Sequence, residues 1–132
     1  MSTRPAWLLL ISFALPLGAC GDMCGSDEIV SVTSSPGGRF DAVLFQRSCG
    51  ATTGFSTQIS VVAHGERPTG RGDAFIADDD HGLARRGAWN GPWADVRWLG
   101  RDRLLVRYAA RSRIFKQAQP EVRIVYQAVE AP

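Results

Sequence analysis

A two-residue alternation of apolar and polar side chains dominates the chain after residue 27 and constrains its fold more than any other feature. Alternation over about five to eight residues is typical of β-strands that bury one face. No segment after residue 27 shows the 3.6-residue period of an amphipathic helix. The pattern therefore predicts an all-β domain, a single small antiparallel sandwich or curled meander of about seven strands. The strand segments, which include one short apolar run at 73–77, are Glu28–Val32, Arg39–Gln46, Thr57–Ala63, Asp73–Ala77, Ala94–Trp98, Leu104–Tyr108 and Val122–Gln127.

Turn-forming residues separate the first two of these strands. Residues 34–38 (SSPGG) favour a turn because proline fixes φ and glycine accepts positive φ. Since successive side chains of a strand point to opposite faces, each strand has a predicted core face. In the third strand Gln58 and Ser60 are the outward positions. The inward positions predicted for the second strand are Phe40, Ala42 and Leu44.

Composition excludes several classes of protein. The 132 residues are 45% hydrophobic and 21% charged, with a formal net charge of +2. This length supports one domain, and this apolar content is too high for a disordered chain. The net charge is too small for a dedicated nucleic-acid-binding protein. We therefore expect no nucleic-acid partner.

The first 19 residues have the features of a secretory signal peptide. Arg4 precedes an uncharged run of 12 residues at 6–17, which is too short to span a bilayer because spanning takes about 20 apolar residues. The run ends in Leu17-Gly18-Ala19-Cys20, which resembles the lipobox of bacterial lipoproteins. The resemblance implies lipidation of Cys20, cleavage after Ala19 and acylation of the new amino terminus. The alternative is an ordinary secretory peptide with a cysteine at the cleavage point.

The lipobox resemblance also implies an organisation and a location. Residues 1–19 are the signal peptide, residues 20–27 a lipid-bearing tether, and residues 28–132 the single β domain. The lipidated Cys20 makes the membrane a partner and places the domain in the bacterial cell envelope, facing the periplasm. In Gram-negative lipoproteins an aspartate directly after the cysteine retains the protein in the inner membrane. Here Gly21 follows, so the outer membrane is favoured in a Gram-negative cell.

Two cysteines remain if Cys20 carries lipid. Cys24 and Cys49 would then form an even pair in an oxidising compartment, and we predict a disulfide between them. Closing a loop of about 26 residues would contribute roughly 3–4 kcal/mol to stability. Two alternatives stay open, a metal-binding pair and a pair of free thiols. A metal site is disfavoured because no histidine or further cysteine lies at ligand spacing from either residue.

The mature part resembles a group of small bacterial proteins with no established activity. The shared features are an SP-x-G run at 35–38, a CGATTGFST-like run at 49–57 preceded by Arg47, and a W…L-V/I-x-Y strand at 98–108. This resemblance implies a common fold unit and no mechanism. Residues 35–45 and 98–108 also resemble strands of TolB-like and WD40-like propeller blades. A complete propeller is excluded because it needs at least four blades of about 40 residues.

One candidate ligand surface combines outward arginines with two tryptophans. Arginines on one sheet face would bind lipid headgroups, lipopolysaccharide phosphate or cell-wall carboxylates, and the alternative is a solvated face. The two tryptophans would form a platform for a sugar or peptide, and the alternative is that they close the end of the β core. The residues of this candidate surface are Trp89, Trp93, Arg97, Arg103, Arg107 and Arg123.

The acidic loop at 78–81 is a weak candidate metal site. Carboxylates suit Ca²⁺ or Mg²⁺, and the residues concerned are Asp78, Asp80 and His81. The spacing does not fit an EF-hand loop, and a solvated acidic loop is the alternative. The chain has no G-x-S-x-G, H-E-x-x-H or P-loop motif. His64 and His81 lie in polar loops and are predicted to be exposed.

These observations favour a lipid-anchored cell-envelope protein that acts as a non-catalytic binding or structural module. An envelope protein or a glycan is its candidate partner, and we expect no catalytic residue and no cofactor. The alternative function is a metal-dependent or hydrolytic envelope enzyme that uses the loop 78–81.

Overall fold

The computed structural model describes residues 27–48, 54–118 and 121–130, and within them the chain forms eight β-strands and no helix. The all-β prediction is confirmed, with one strand more than the alternation predicted. Within the same ranges no helix is long and apolar enough to cross a membrane. The strands are β1 (Glu28–Ser34), β2 (Phe40–Ser48), β3 (Phe55–Ala63), β4 (Phe75–Asp78), β5 (Ala94–Gly100), β6 (Arg103–Ala109), β7 (Arg113–Gln117) and β8 (Arg123–Val129).

The strands form two sheets. One sheet has five strands in the order β1-β2-β3-β4-β7, and the other has three in the order β5-β6-β8. Neighbouring strands are antiparallel except for β6 and β8, which run parallel. Between β6 and β8 the chain passes through β7, which belongs to the five-stranded sheet. It then returns to the three-stranded sheet, where β8 runs in the same direction as β6.

The inner faces of the two sheets pack against each other and form the core. Phe75 of the five-stranded sheet is fully buried, and its ring centroid lies 5.4 Å from that of Tyr108 and 6.2 Å from that of Tyr126. Phe40 stacks on Trp98 at 6.4 Å. Aromatic contacts therefore join the two layers at several points. The inward positions predicted for β2 are all buried in this core: Phe40, Ala42 and Leu44.

The strand that alternation did not reveal, β7, is an exposed edge strand. Only Ile114 is partly buried, and the other four residues of the strand are exposed. The strand pairs with β4, where Asp78 lies opposite Arg113 and Phe75 opposite Gln117. Because edge pairing uses backbone hydrogen bonds rather than a buried apolar face, the hydropathy pattern carries no signal for it.

A loop covers the outer face of β3. Gln58 and Ser60 lie on that face, as predicted, but both are 3% exposed. The Gly72 amide donates to Gln58 Oε1 at 2.7 Å, and the Asp73 amide donates to Ser60 Oγ at 3.2 Å. A Cβ at residue 72 would lie 2.8 Å from the carbonyl oxygen of Phe75. Glycine at this position therefore permits the close approach of loop and strand.

The sandwich has two distinct ends. We call the end at which β1 begins, next to Asp27, the tether end, and the opposite end the turn end. The turn end contains the β1–β2 turn at 35–39 and the β5–β6 turn at 101–102, which line one cleft together. The seven residues of β1 separate the two ends by about 20 Å at roughly 3.3 Å per residue.

Candidate functional site

Cross-strand register places the four arginines of the candidate surface on one side of the three-stranded sheet. Arg103 lies opposite Arg123, and Arg107 lies opposite Asp95. Leu104 and Val106 of β6 point into the core. Since successive side chains of a strand point to opposite faces, the arginines of these strands point away from the core. We call this surface the arginine face. It is formed by Arg97, Arg103, Arg107 and Arg123 around Leu105 and Val125.

Three of the four guanidinium groups on the arginine face are free, in the sense that they form no ion pair with a described residue. Arg107 donates from Nε to Asp95 Oδ1 at 2.8 Å and also from Nη2 to Asp95 Oδ2. Its guanidinium carbon lies 5.6 Å from the centroid of the half-buried Trp93 ring. The other three side chains are exposed and form no ion pair with any residue that the structure describes: Arg97, Arg103 and Arg123.

Among the arginines of the strands, the ion-paired Arg113 and the free Arg103 and Arg123 lie at opposite ends of the sandwich. Arg113 pairs with Asp78 at the end of β4, which the register places at the tether end. The free guanidinium groups of Arg103 and Arg123 lie at the start of β6 and β8, at the turn end. Asp102, in the adjoining turn, reduces this positive charge without forming an ion pair among the described residues. The turn end therefore carries two guanidinium groups of the arginine face that form no ion pair with a described residue.

Trp89 is used to close the core at the tether end. Its Nε1 donates to Thr57 Oγ1 at 2.8 Å, and that hydroxyl donates to the carbonyl of Pro92 at 2.6 Å. A Cβ at Gly87 would lie 2.4 Å from the Trp89 ring, so the ring packs directly on the backbone. For Trp89 this packing matches the structural alternative, in which the ring closes the end of the β core. The loop 87–92 holds Trp89 against β3, so this ring is not available as a platform, whereas the half-buried Trp93 ring contacts Arg107.

Two carboxylates of the acidic loop at 78–81 form ion pairs with arginines. Arg113 Nε lies 3.1 Å from both carboxylate oxygens of Asp78, and Arg86 pairs with Asp79. Burial disfavours the charged form of Asp78, but hydrogen bonds from Arg113 and the Asp80 amide outweigh it and lower its pKa. In the described ranges no three metal-ligating side chains come together. The weak metal candidates Asp78, Asp80 and His81 therefore do not assemble a site.

A buried carboxylate orients His64, a contact that the sequence pattern does not reveal. Asp41 is 4% exposed, and its Oδ1 lies 2.9 Å from His64 Nδ1 and accepts a 2.7 Å hydrogen bond from Ser34 Oγ. The Gly65 amide donates to Asp41 Oδ2 at 2.9 Å. An oriented histidine of this kind serves as the base in nucleophilic catalysis. Here the serine bonds to the aspartate, and within the described residues no hydroxyl bonds to His64 Nε2, so the cluster fixes the loop.

We predict an acid-sensitive contribution of Asp41 to stability. The hydrogen bonds from the Gly65 amide, the His64 ring and Ser34 lower the pKa of Asp41 to about 2. Because the folded pKa lies below the ordinary value of 3.8, the contribution is complete above about pH 4 and is lost as the pH falls towards 2. Thermal melts across this range should show a steeper loss for the wild type than for Asp41→Asn, which should already be destabilised by about 1–3 kcal/mol at neutral pH.

The exposed Glu66 provides the control for this measurement. Glu66→Gln removes a carboxylate from the same loop and should melt like the wild type throughout. Equal acid sensitivity of wild type and Asp41→Asn would show that the buried cluster is not responsible.

The three cysteines of the sequence predictions lie outside the described residues: Cys20, Cys24 and Cys49. The described residues nearest to Cys24 and Cys49 are Asp27 and Ser48. Asp27 Oδ1 lies 3.6 Å from Arg47 Nε, and Glu28 lies opposite Gln46. The start of β1 and the end of β2 therefore lie next to each other at the tether end.

No protein-family model, curated protein or solved structure matches this chain.

Proposed function

We propose that this protein is a lipid-anchored module of the bacterial cell envelope that binds an acidic glycan through its arginine face and performs no catalysis. The observation that carries the proposal is the set of free guanidinium groups on one exposed sheet face: Arg97, Arg103 and Arg123. Guanidinium groups bind carboxylate and phosphate in a planar, bidentate geometry. Several of them on one sheet face suit a partner that repeats its negative charges.

The amino-terminal features support the anchor. The short apolar run followed by the lipobox at 17–20 favours acylation of Cys20, and two or more acyl chains hold a protein stably at a bilayer. The close approach of Asp27 and Arg47 supports the proposed Cys24–Cys49 disulfide, which would tie the tether to β2. The outer membrane is the favoured site in a Gram-negative cell because Gly21 follows the lipidated residue.

The position of the free arginines favours a glycan over the anchoring bilayer. The tether enters at the start of β1, whereas Arg103 and Arg123 lie at the turn end, about 20 Å away. A domain held by its tether end can direct this charge away from the membrane.

The proposal is tested by substituting the free arginines. The full chain, purified in a non-ionic detergent, should bind polygalacturonate and should not bind neutral dextran. The triple variant Arg97→Gln, Arg103→Gln, Arg123→Gln should bind about tenfold more weakly or worse, because each exposed charge pair contributes roughly 0.2–1 kcal/mol. The affinity of the wild type should fall as salt rises, since exposed charges are screened.

A triple variant with the same loss of charge serves as the control. It replaces exposed arginines outside the arginine face, none with an ion pair among the described residues: Arg67, Arg71 and Arg111. It should bind polygalacturonate like the wild type. Equal weakening by both triple variants would show that binding depends only on the net charge of the protein, and this would contradict the proposal. Binding to phosphatidylglycerol vesicles with none to polygalacturonate would make the arginine face a membrane-binding surface instead.

A further inference from the structure

A cleft of about 430 Å³ opens at the turn end of the sandwich. Its walls come from the β1–β2 turn and the β5–β6 turn, which belong to different sheets. A Cβ at Gly37 would lie 3.9 Å from Arg101 Nε, so the Arg101 side chain extends close to the first turn. The residues that line the cleft are Pro36, Gly37, Arg39, Arg101 and Asp102.

The backbone of this cleft is held in place from both sides. Ser35 is buried, and its Oγ accepts a hydrogen bond from the Phe40 amide at 3.0 Å. The Gly38 amide donates to the Ser35 carbonyl at 2.9 Å, which closes the first turn. In the second turn the Asp102 carbonyl accepts from the Arg123 amide at 2.8 Å. The cleft is therefore built on two fixed turns, and binding there needs little ordering of the backbone.

The side chains of the cleft form a mixed set of charges. Arg39 and Arg101 are exposed and have no ion pair within the described part of the chain. The Arg39 guanidinium carbon lies 5.1 Å from the centroid of the Phe40 ring, which limits its range of positions. Asp102 contributes one carboxylate. Two guanidinium groups bind an anion, whereas a carboxylate accepts hydrogen bonds from hydroxyl groups and repels a bare anion.

We infer that this cleft binds one acidic sugar unit, with the anionic group of the sugar on Arg39 and Arg101 and a sugar hydroxyl on Asp102. The inference rests on the proposed function and names the ligand unit that the glycan presents to the turn end. A simple inorganic anion would use the arginines alone and would gain from removal of Asp102. An acidic sugar uses all three side chains.

The test is an NMR titration of the full chain in a non-ionic detergent with galacturonate, galactose and inorganic phosphate. Galacturonate should shift the amide resonances of Gly37, Gly38 and Asp102, and galactose should bind about tenfold more weakly or worse. Arg101→Gln should weaken galacturonate binding about tenfold, the loss expected for a charge-assisted hydrogen bond. Asp102→Asn should weaken galacturonate binding and leave phosphate binding unchanged or stronger. Arg111→Gln, outside the cleft, should leave both unchanged.

The outcomes separate this inference from the proposed function. If Asp102→Asn strengthens galacturonate and phosphate binding alike, the cleft is a plain anion site and the sugar assignment is overturned. If galacturonate leaves the three amides unshifted while polygalacturonate still needs the arginine face, the cleft inference fails and the proposed function stands. If neither the sugar nor the polymer binds, both are overturned.

Discussion

Replacing Phe75 with alanine should lower the free energy of unfolding by about 3–5 kcal/mol, the range for truncating a buried aromatic side chain. Phe75 is fully buried on β4, and its ring contacts Tyr108 and Tyr126 of the opposite sheet. The substitution removes apolar contact from both layers and leaves a cavity that the surrounding backbone pairing cannot close. Urea unfolding of the purified chain, followed by tryptophan fluorescence, measures the loss directly.

Phe115→Ala is the matched control for this substitution. Phe115 lies on the neighbouring edge strand β7 and is 55% exposed, with Arg113 5.1 Å from its ring centroid. Its truncation should cost less than about 1 kcal/mol because an exposed cation–π contact contributes little. A similar loss of stability in the two variants would contradict a core formed by the two inner sheet faces.

Replacing Cys20 with alanine should abolish lipid anchoring completely. On the proposed processing, the Cys20 sulfur is the acceptor of the lipid, and its acyl chains hold the protein at the bilayer by about 0.8 kcal/mol per buried CH₂. Intact mass of the membrane-extracted wild type should show the loss of residues 1–19 and the added mass of acyl chains. The Cys20→Ala variant should carry no acyl chain and should keep its first 19 residues.

Cys24→Ala controls for the general effect of removing a cysteine. This variant should keep the acyl chains and the cleavage after Ala19, since its sulfur is assigned to the disulfide. A wild-type protein that is recovered in the soluble fraction with an unmodified Cys20 would contradict the anchor.

Much of the fold follows from alternation, because one buried face imposes the same period on each strand. The period of two located β2, β3, β5 and β6 and the side of β2 that enters the core. It did not reveal β7, which has only one partly buried residue and so shows no apolar alternation. It also could not predict that β6 and β8 run parallel, since alternation is the same in either direction.

The candidate site was predictable only in part. Alternation places Arg103 and Arg107 on one face of β6, but the pairing of Arg107 with Asp95 depends on the register between β5 and β6. Which guanidinium groups stay free is therefore a property of the assembled sheet. The cluster of Asp41 and His64 joins residues 23 positions apart, and no local spacing marks it. The cleft at the turn end depends on two turns from different sheets, which only the packing of the layers brings together.

A single reconstitution experiment examines anchor and arginine face together. The full lipid-bearing protein is inserted into neutral phosphatidylcholine vesicles, and the amount of fluorescent polygalacturonate that sediments with them is measured. Wild-type protein should recruit the polymer to the vesicles, and the variant with Arg97, Arg103 and Arg123 replaced by glutamine should recruit about one tenth as much or less. Equal recruitment by the two proteins, or none by the wild type, would contradict the proposal that the free arginines of an anchored domain bind an acidic glycan.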